Sequence, residues 1–160
     1  MNRPLTIAIA ISAVAGVGVV RAMDLAIVVN WSNPVDAITL RELAAIFELR
    51  QQFWKDGEKV AVIIQPARRA EKNLMLKQVY HQTDEGLNKY LLNRMFKGEI
   101  SDFPQIATSN EQVKDEVRGQ ANAIGFIDAA AVDKSVKVLR IDGATLHSEK
   151  YRLRSGDPTS

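Results

Sequence analysis

The sequence has 160 residues, with 21 Lys or Arg, 19 Asp or Glu and no cysteine. The absence of cysteine excludes a disulfide scaffold and a thiolate-ligated metal site. The small excess of positive charge comes from Arg3 and Arg21, which lie in an N-terminal segment that we expect to be removed. After their loss, 19 basic residues face 19 acidic ones, and this balance gives no indication of nucleic-acid binding.

Residues 1–22 are typical of a secretory signal peptide. Arg3 is followed by the apolar run LTIAIAISAVAGVGVV, and Val20 and Ala22 place small residues at the two positions that signal peptidase reads. The alternative is an uncleaved membrane anchor, but the apolar run has about 16 residues, whereas a membrane span needs about 20. We therefore expect cleavage after Ala22 and a periplasmic location for the mature chain.

The segment 24–47, DLAIVVNWSNPVDAITLRELAAIF, predicts a strand, a turn and a helix. The strand over 25–30 is apolar almost throughout, as expected of a strand that is covered on both faces. Thr39 and Glu42 have the spacing of a capping box, in which each side chain bonds the backbone amide of the other residue. The helix that follows presents one apolar face, formed by Leu40, Leu43, Ile46 and Phe47.

The remainder of the chain alternates strands with helices. We predict strands over 59–65, 123–127 and 136–141, helices over 70–81, 84–96 and from the Ser109/Gln112 capping box through Val117, and a helical turn over 128–132. Beyond Gly143 the sequence becomes polar, and we expect a frayed tail over 146–160. This order predicts one α/β domain over 23–145, a three-layer domain with a mainly parallel sheet flanked by helices.

The sequence contains none of the common catalytic motifs for nucleotide binding, serine hydrolysis or zinc proteolysis. Its two histidines, His81 and His147, are 66 positions apart. We predict that His81 lies near a helix end, where positive charge is favourable, and that His147 faces solvent. We therefore predict neither an enzyme nor a bound cofactor or metal.

One stretch carries chemistry that favours a ligand. The predicted strand 59–65 leads through Arg68 and Arg69 into the start of a helix. Loops at the carboxyl ends of parallel strands are where open α/β sheets bind ligands, and the free amides of a helix start favour an anion. The two guanidinium groups add bidentate donors. Alternatively, both arginines are solvated or are paired with Glu71 or Glu58.

We expect a second wall of this site in the turn that follows the first strand. Asn30-Trp31-Ser32-Asn33 is rich in polar side chains, and its position after a strand places it at the carboxyl end of that strand. We predict that this turn and the arginines lie at the same edge of the sheet. Ser32 and Asn33 are therefore candidate ligands alongside Arg68 and Arg69.

Several segments, in order, resemble the phosphate-type periplasmic substrate-binding proteins of ABC transporters. The segments with this resemblance are 25–35 (LAIVVNWSNPV), 38–47 (ITLRELAAIF), 54–57 (WKDG), the strand VAVIIQP, 108–117 (TSNEQVKDEV) and 122–127 (NAIGFI). The resemblance as a whole extends over roughly residues 24–142, nearly all of the mature chain. The resemblance implies the fold of one lobe of a type II periplasmic binding protein, a small oxyanion such as phosphate as ligand, and an ABC permease as partner.

The sequence departs from this family in two respects. The family has two lobes that clamp the ligand, and this chain has room for one, so we expect half of the usual ligand cage. The phosphate loop of the matching lobe reads R-x-x-G-S-G-T in the family. Here Gln65 stands at the arginine position, and Arg69, Ala70 and Glu71 stand at the Ser-Gly-Thr positions. The phosphate ligands of the family therefore do not carry over.

Of three hypotheses from the sequence, an enzyme has no supporting motif, so two functions remain to be weighed. The chain is a binding module that holds an oxyanion at Arg68 and Arg69, with a homodimer as one way to close the site. Alternatively, it is a periplasmic accessory protein that contacts a membrane or sensor protein without a small ligand. The fold alone does not decide between them.

Overall fold

A five-stranded sheet forms the centre of the computed structural model, which describes residues 22–156. Most of the predicted signal peptide, residues 1–21, lies outside this range. The strands, in spatial order, are β4 (Gln105–Ile106), β3 (Ala61–Ile64), β5 (Ala123–Asp128), β1 (Leu25–Val29) and β6 (Lys137–Val138). A separate pair, β2 (Ala37–Ile38) and β7 (Arg140–Ile141), forms a small parallel sheet.

Four strands of the central sheet run in one direction, and β1 runs in the other. β3 is parallel to both β4 and β5, whereas β1 is antiparallel to β5 and β6. In the β1–β5 register, Leu25 lies opposite Asp128 and Val29 lies opposite Ile124. The mainly parallel sheet is confirmed, and the carboxyl end of β1 lies beside the amino ends of β3 and β5.

Helices cover both faces of the sheet, which confirms the three-layer α/β architecture. One layer contains α1 (Leu40–Phe47), α2 (Ala70–Met75), a π-helix (Leu76–Tyr80) and α3 (Asp84–Phe96), and the other contains α4 (Asn110–Gly119). The side chains of β1 alternate between the two faces of the sheet and therefore contact both helical layers. Its odd-numbered side chains, such as Ile27, pack toward the first layer, and its even-numbered ones, such as Val28, pack toward α4.

Side-chain caps fix the starts of the helices. Glu42 N donates to Thr39 Oγ1 at 3.1 Å and Thr39 N donates to Glu42 Oε2 at 2.8 Å, so the predicted capping box is present. At α4, Gln112 N donates to Ser109 Oγ at 3.1 Å, as predicted. The return bond differs from the prediction, because Gln112 Oε1 accepts from Thr108 N at 2.8 Å.

Two predicted elements are divided in the structure. The predicted helix 70–81 consists of α2 followed by the π-helix, and it ends where His81 adopts a left-handed backbone with φ of 50°. The predicted strand 136–141 contributes β6 to the central sheet and β7 to the small one. Leu139 lies between them, and its N–H donates to the carbonyl of Ile27 at 2.9 Å.

The prediction of a frayed tail is wrong for residues 151–154. Tyr151 and Leu153 are fully buried in the core, and Leu25 N donates to Leu153 O at 2.7 Å. Asp24 and Arg154 form an isolated antiparallel bridge beyond this bond. The segment is polar in composition, but its two apolar side chains alternate with polar ones and therefore fill the edge of the core. Residues 157–160 lie outside the described range.

Among residues 22–156, no helix combines the length and the apolar character that crossing a membrane requires.

Candidate functional site

The carboxyl ends of β3 and β5 meet the starts of α2 and α4 at one edge of the sheet. Gln65 directly follows β3, Asp128 ends β5, and Asn110 is the first residue of α4. Arg68 and Arg69, the arginines of the predicted anion site, also lie at this edge. Open α/β sheets bind ligands at the carboxyl ends of their strands, so this is the edge at which the fold favours a site.

Gln65 links the elements at this edge. Its side chain is fully buried, and its amide nitrogen donates to Asn110 Oδ1 at 2.8 Å and to the carbonyl of Phe126 at 3.1 Å. Asn110 Oδ1 also accepts from the N–H of Asp128 at 3.3 Å. These bonds satisfy the polar groups of a buried amide, which would otherwise destabilise the fold, and they fix the positions of β3, β5 and α4 relative to one another.

Arg69 is half-buried and is held by two neighbours. Its Nε donates to Gln65 Oε1 at 3.0 Å, and its Nη2 donates to Glu71 Oε1 at 3.0 Å. The Glu71 side chain is only 6% exposed, whereas that of Arg69 is 39% exposed. The sequence alternative in which an arginine pairs with Glu71 therefore holds for Arg69, and its charge is partly neutralised within the site.

Arg68 has a different environment from Arg69. It is exposed and adopts a left-handed backbone with φ of 72°, in the turn between β3 and α2. None of the ion pairs among residues 22–156 involves it. A left-handed conformation is uncommon outside glycine, and here it directs the chain from β3 into α2. Of the two arginines, Arg68 is the one that solvent reaches freely.

A buried lysine, Lys72, lies in α2. The Lys72 side chain is 2% exposed, and its Nζ is 3.5 Å from Asp84 Oδ1 and 5.6 Å from the centre of the Tyr80 ring. Burial lowers the pKa of the Lys72 ammonium below its ordinary value, and the Asp84 carboxylate partly offsets this effect. Because of its burial, Lys72 supports the local structure and does not present a contact to a ligand.

The structure does not bring Ser32 and Asn33 to this edge. Their turn follows β1, and β1 is antiparallel to β5, so the turn lies at the amino ends of β3 and β5. The neighbouring Asn30 donates to the carbonyls of Val117 and Arg118 at the end of α4, at 3.0 and 2.9 Å. The prediction that Ser32 and Asn33 share an edge with the arginines is therefore wrong.

The surroundings of Ser32 and Asn33 also differ from those of an anion site. Both residues line a pocket of about 210 Å³ whose wall includes the carboxylates of Asp56 and Glu58. The nearby carbonyl end of α4 carries partial negative charge as well. These negative groups disfavour an oxyanion in this pocket.

The histidines and the acidic residues provide no metal centre within residues 22–156. His81 is exposed just after the π-helix, in agreement with the predicted place near a helix end. His147 is also exposed, as predicted, with its Nδ1 3.3 Å from Asp24 Oδ2.

Sequence reasoning missed Gln65 and Asn110 as members of this site. In the sequence, Gln65 differs from the arginine of the phosphate-type loop, and this difference alone does not indicate a role for it. A polar residue directly after an apolar strand can indicate such a site, because an amide that is buried there needs several hydrogen-bond partners. Its partner Asn110 is 45 positions away, and no local pattern indicates it.

Comparison with known proteins identifies the fold. An ABC-type phosphate transport receptor from Vibrio cholerae is 25% identical, with a TM-score of 0.69 over 83% of this chain and 54% of the receptor. A phosphate-bound structure from Clostridium perfringens, assigned to the phosphate ABC transporter substrate-binding proteins, is 23% identical, with a TM-score of 0.63 over 78% of this chain and 47% of that one. PstS from Borrelia burgdorferi is 16% identical, with a TM-score of 0.66 over 83% and 55% of the two chains.

The chain spans about half the length of these solved proteins. No protein-family model matches the sequence, and no curated protein matches it either. The structural similarity covers most of the described residues, and the mixed sheet with helices on both faces accounts for it. The chain therefore has the fold of one lobe of the phosphate-type periplasmic substrate-binding proteins.

Proposed function

We propose that the chain is an exported, non-enzymatic binding module that holds a small oxyanion such as phosphate at the turn between β3 and α2. The observation that carries this proposal is the position of Arg68 and Arg69 at the carboxyl end of β3, on a fold shared with phosphate-binding proteins. The proposed location is the periplasm, reached through a signal peptide that is cleaved after Ala22.

Arg68 supplies the main contact in this proposal. Its guanidinium is exposed and presents a planar pair of donors that matches two oxygens of a tetrahedral oxyanion. Arg69 supplies a second contact from its exposed part while Gln65 and Glu71 hold its orientation. The proposed site consists of these two arginines, and Ser32 and Asn33 are not part of it.

The proposed affinity is low, in the millimolar range. The turn between β3 and α2 contacts a ligand from one side only, whereas tight sites bury most of the ligand surface. Glu71 reduces the positive charge, and the Ser-Gly-Thr donors of the phosphate family are replaced. We therefore expect little discrimination between phosphate and sulfate, because two guanidinium groups recognise both ions.

Isothermal titration of residues 23–160 with phosphate and sulfate tests the proposal. We expect weak binding of both ions, with the loss of most of the affinity in Arg68→Ala and a smaller loss in Arg69→Ala. Arg118→Ala is the matched control, because Arg118 is exposed at the far end of α4 and forms a surface ion pair with Asp115. The absence of binding at millimolar concentration, or equal losses in all three variants, contradicts the proposal.

Export has a separate test. Expression of the full-length precursor in a Gram-negative host, followed by N-terminal sequencing of the protein in the periplasmic fraction, should give a chain that begins at Met23. Recovery of the uncleaved chain in the membrane fraction contradicts cleavage after Ala22 and favours the membrane-anchor alternative.

A second candidate function is a periplasmic accessory protein that contacts a permease or a sensor protein without a small ligand. Two observations favour it. First, Glu71 already forms an ion pair with Arg69. Second, α3 carries exposed apolar side chains at Leu92 and Phe96, and Phe96 is 87% exposed. Isothermal titration distinguishes the candidates, since an accessory protein without a small ligand binds neither phosphate nor sulfate. Size-exclusion chromatography tests a closed form of the first candidate, because an oxyanion clamped in a homodimer increases the apparent mass only when phosphate is present.

A further inference from the structure

A groove of about 480 Å³ lies between β2 and the loop that precedes β3. Trp54 forms part of its wall, and the indole N–H of Trp54 donates to the carbonyl of Asn122 at 2.9 Å. Asn122 directly precedes β5, so the groove lies at the amino ends of the parallel strands. It is therefore separate from the proposed oxyanion site, which lies at their carboxyl ends.

The wall of this groove is mainly apolar. Its apolar lining residues are Pro34, Val35, Ala37, Ile38 and Trp54. Ile38 and Trp54 belong to the buried core, which makes this part of the wall rigid. The volume falls within the range of about 300–1,000 Å³ that is typical of small-molecule sites, and such sites combine an apolar wall with a few polar groups.

Two of the four polar residues that line the groove are carboxylates. Glu42 and Asp56 line it together with Lys55 and the amide of Gln51, so the charged residues sum to one negative charge. A smaller adjoining pocket shares Pro34, Trp54 and Asp56 and adds Glu58. The negative charge therefore extends across both pockets.

The local structure leaves both carboxylates able to accept further bonds. The hydrogen bonds of Glu42 within residues 22–156 use Oε2, which accepts from the N–H and the hydroxyl of Thr39 at 2.8 and 3.0 Å. These two bonds lower the pKa of the Glu42 carboxyl, so it is ionised at neutral pH. Asp56 accepts from the N–H of Glu58 through Oδ1 at 3.1 Å. In each carboxylate the second oxygen has no such bond among the described residues.

We propose that this groove binds a small organic cation, an amine with an apolar body. The ammonium group faces the carboxylates of Glu42 and Asp56, and the apolar body lies against Ile38 and Trp54. This ligand class follows from charge complementarity, since a negative rim around an apolar wall favours a cation over an anion or a purely apolar ligand. Lys55 weakens the binding because it opposes the ligand charge.

Phenylethylammonium and the uncharged 2-phenylethanol are a matched pair of probes with the same ring and nearly the same size. Binding is measured by isothermal titration and by the fluorescence of Trp54 in a Trp31→Phe background. The replaced Trp31 is exposed and lies outside the wall of the groove. We expect the amine to bind at millimolar or lower concentration and the alcohol to bind at least about threefold more weakly, with the difference reduced by added salt.

Three variants test the assignment of the charged residues. Glu42→Gln keeps the capping box, because glutamine also serves at this position, and Asp56→Asn keeps the acceptor for the N–H of Glu58. Each should weaken amine binding by about two- to fivefold, and Lys55→Gln should strengthen it by a similar factor. Arg68→Ala should leave it unchanged, so this result is independent of the oxyanion site. Equal binding of amine and alcohol, or binding of neither at millimolar concentration, overturns the proposal.

Discussion

Arg69 Nη2 lies 3.0 Å from Glu71 Oε1, and this ion pair sits inside the turn proposed to hold an oxyanion. The Glu71 carboxylate is nearly buried, and Arg69 also donates to Gln65, so the pair is part of a connected network. The pair orders Arg69 but opposes an incoming anion. The low affinity that we propose follows from this arrangement, and it leads to a variant that should bind more tightly.

Glu71→Gln should raise the affinity for phosphate by about fivefold. The amide keeps a hydrogen-bond acceptor for Arg69 while it removes a negative charge, and one unit charge at a few ångströms near a protein surface is worth roughly 1 kcal/mol or more. The measurement is isothermal titration beside the wild type. Glu58→Gln is the control, because it makes the same charge change at the other end of the sheet and should leave the affinity unchanged. A lower affinity in Glu71→Gln contradicts the proposed site.

Tyr151→Phe should destabilise the protein by about 1–2 kcal/mol, because it leaves a buried carbonyl without a partner. The Tyr151 hydroxyl donates to the carbonyl of Leu25 at 2.7 Å and thereby attaches the C-terminal segment to β1. Urea unfolding measures the change. Tyr90→Phe, at a partly buried position on α3, should change the free energy of unfolding by less than about 0.5 kcal/mol. If Tyr151→Phe is as stable as Tyr90→Phe, this attachment has no energetic importance.

Gly125→Ala should cost about 1–3 kcal/mol through overpacking between β5 and α4. A Cβ at Gly125 would lie 2.7 Å from Val113 Cγ1, which is too close for both groups to keep their positions. Gly119→Ala is the matched control, because a Cβ there meets no atom within 4 Å and alanine favours the helix. Thermal unfolding should therefore show a lower Tm for Gly125→Ala and an unchanged or higher Tm for Gly119→Ala. A Tm for Gly125→Ala equal to that of the wild type shows that this helix–sheet contact is loose.

The sequence predicts the local features of this fold well. The Thr39/Glu42 capping box and the bounds of α3 appear as expected, because caps and helical periodicity depend on residues a few positions apart. The Leu76–Tyr80 segment was predicted as ordinary helix and is a π-helix. Its hydrophobic pattern is compatible with either form, so the one-residue difference in hydrogen bonding has no signal in the sequence.

The features that depend on distant pairing are the ones the sequence did not reveal. The direction of β1 determines at which edge of the sheet Ser32 and Asn33 lie. The apolar pattern of a strand does not indicate whether it runs parallel or antiparallel to its neighbour. Leu153 is buried because it pairs with Leu25, 128 positions earlier, inside a segment whose composition is polar. Arg68 and Arg69 lie between β3 and α2, as expected, because this placement requires only a strand followed by a helix.

Stability should fall as the pH rises above about 10, and Tyr80 is one cause. Burial raises the pKa of the Tyr80 phenol above its ordinary value of 10.0. Above that pH the unfolded chain loses the proton and the folded chain keeps it, so the free energy of unfolding decreases by up to about 1.4 kcal/mol per pH unit. Burial also raises the pKa of Tyr151, which adds a similar decrease.

Tyr80→Phe isolates one of these contributions. Urea unfolding between about pH 9 and 11 should show a free energy of unfolding that falls less steeply with pH than in the wild type. The difference in slope should correspond to about one proton. The ring that lies beside the Lys72 ammonium is retained in this variant, so the opposing contribution of Lys72 is unchanged. An identical decline in both proteins shows that Tyr80 does not titrate differently in the folded and unfolded states.

A titration of ¹⁵N-labelled residues 23–160 with phosphate, followed through the amide NMR signals, tests directly whether the turn after β3 holds an oxyanion. We expect the signals of Ala67 to Glu71 to shift first and furthest, and the signals of the amino-end groove around Ile38 and Trp54 to stay in place. The absence of shifts at millimolar phosphate, or shifts centred on Ser32 and Asn33, would contradict the claim that the turn after β3 holds an oxyanion.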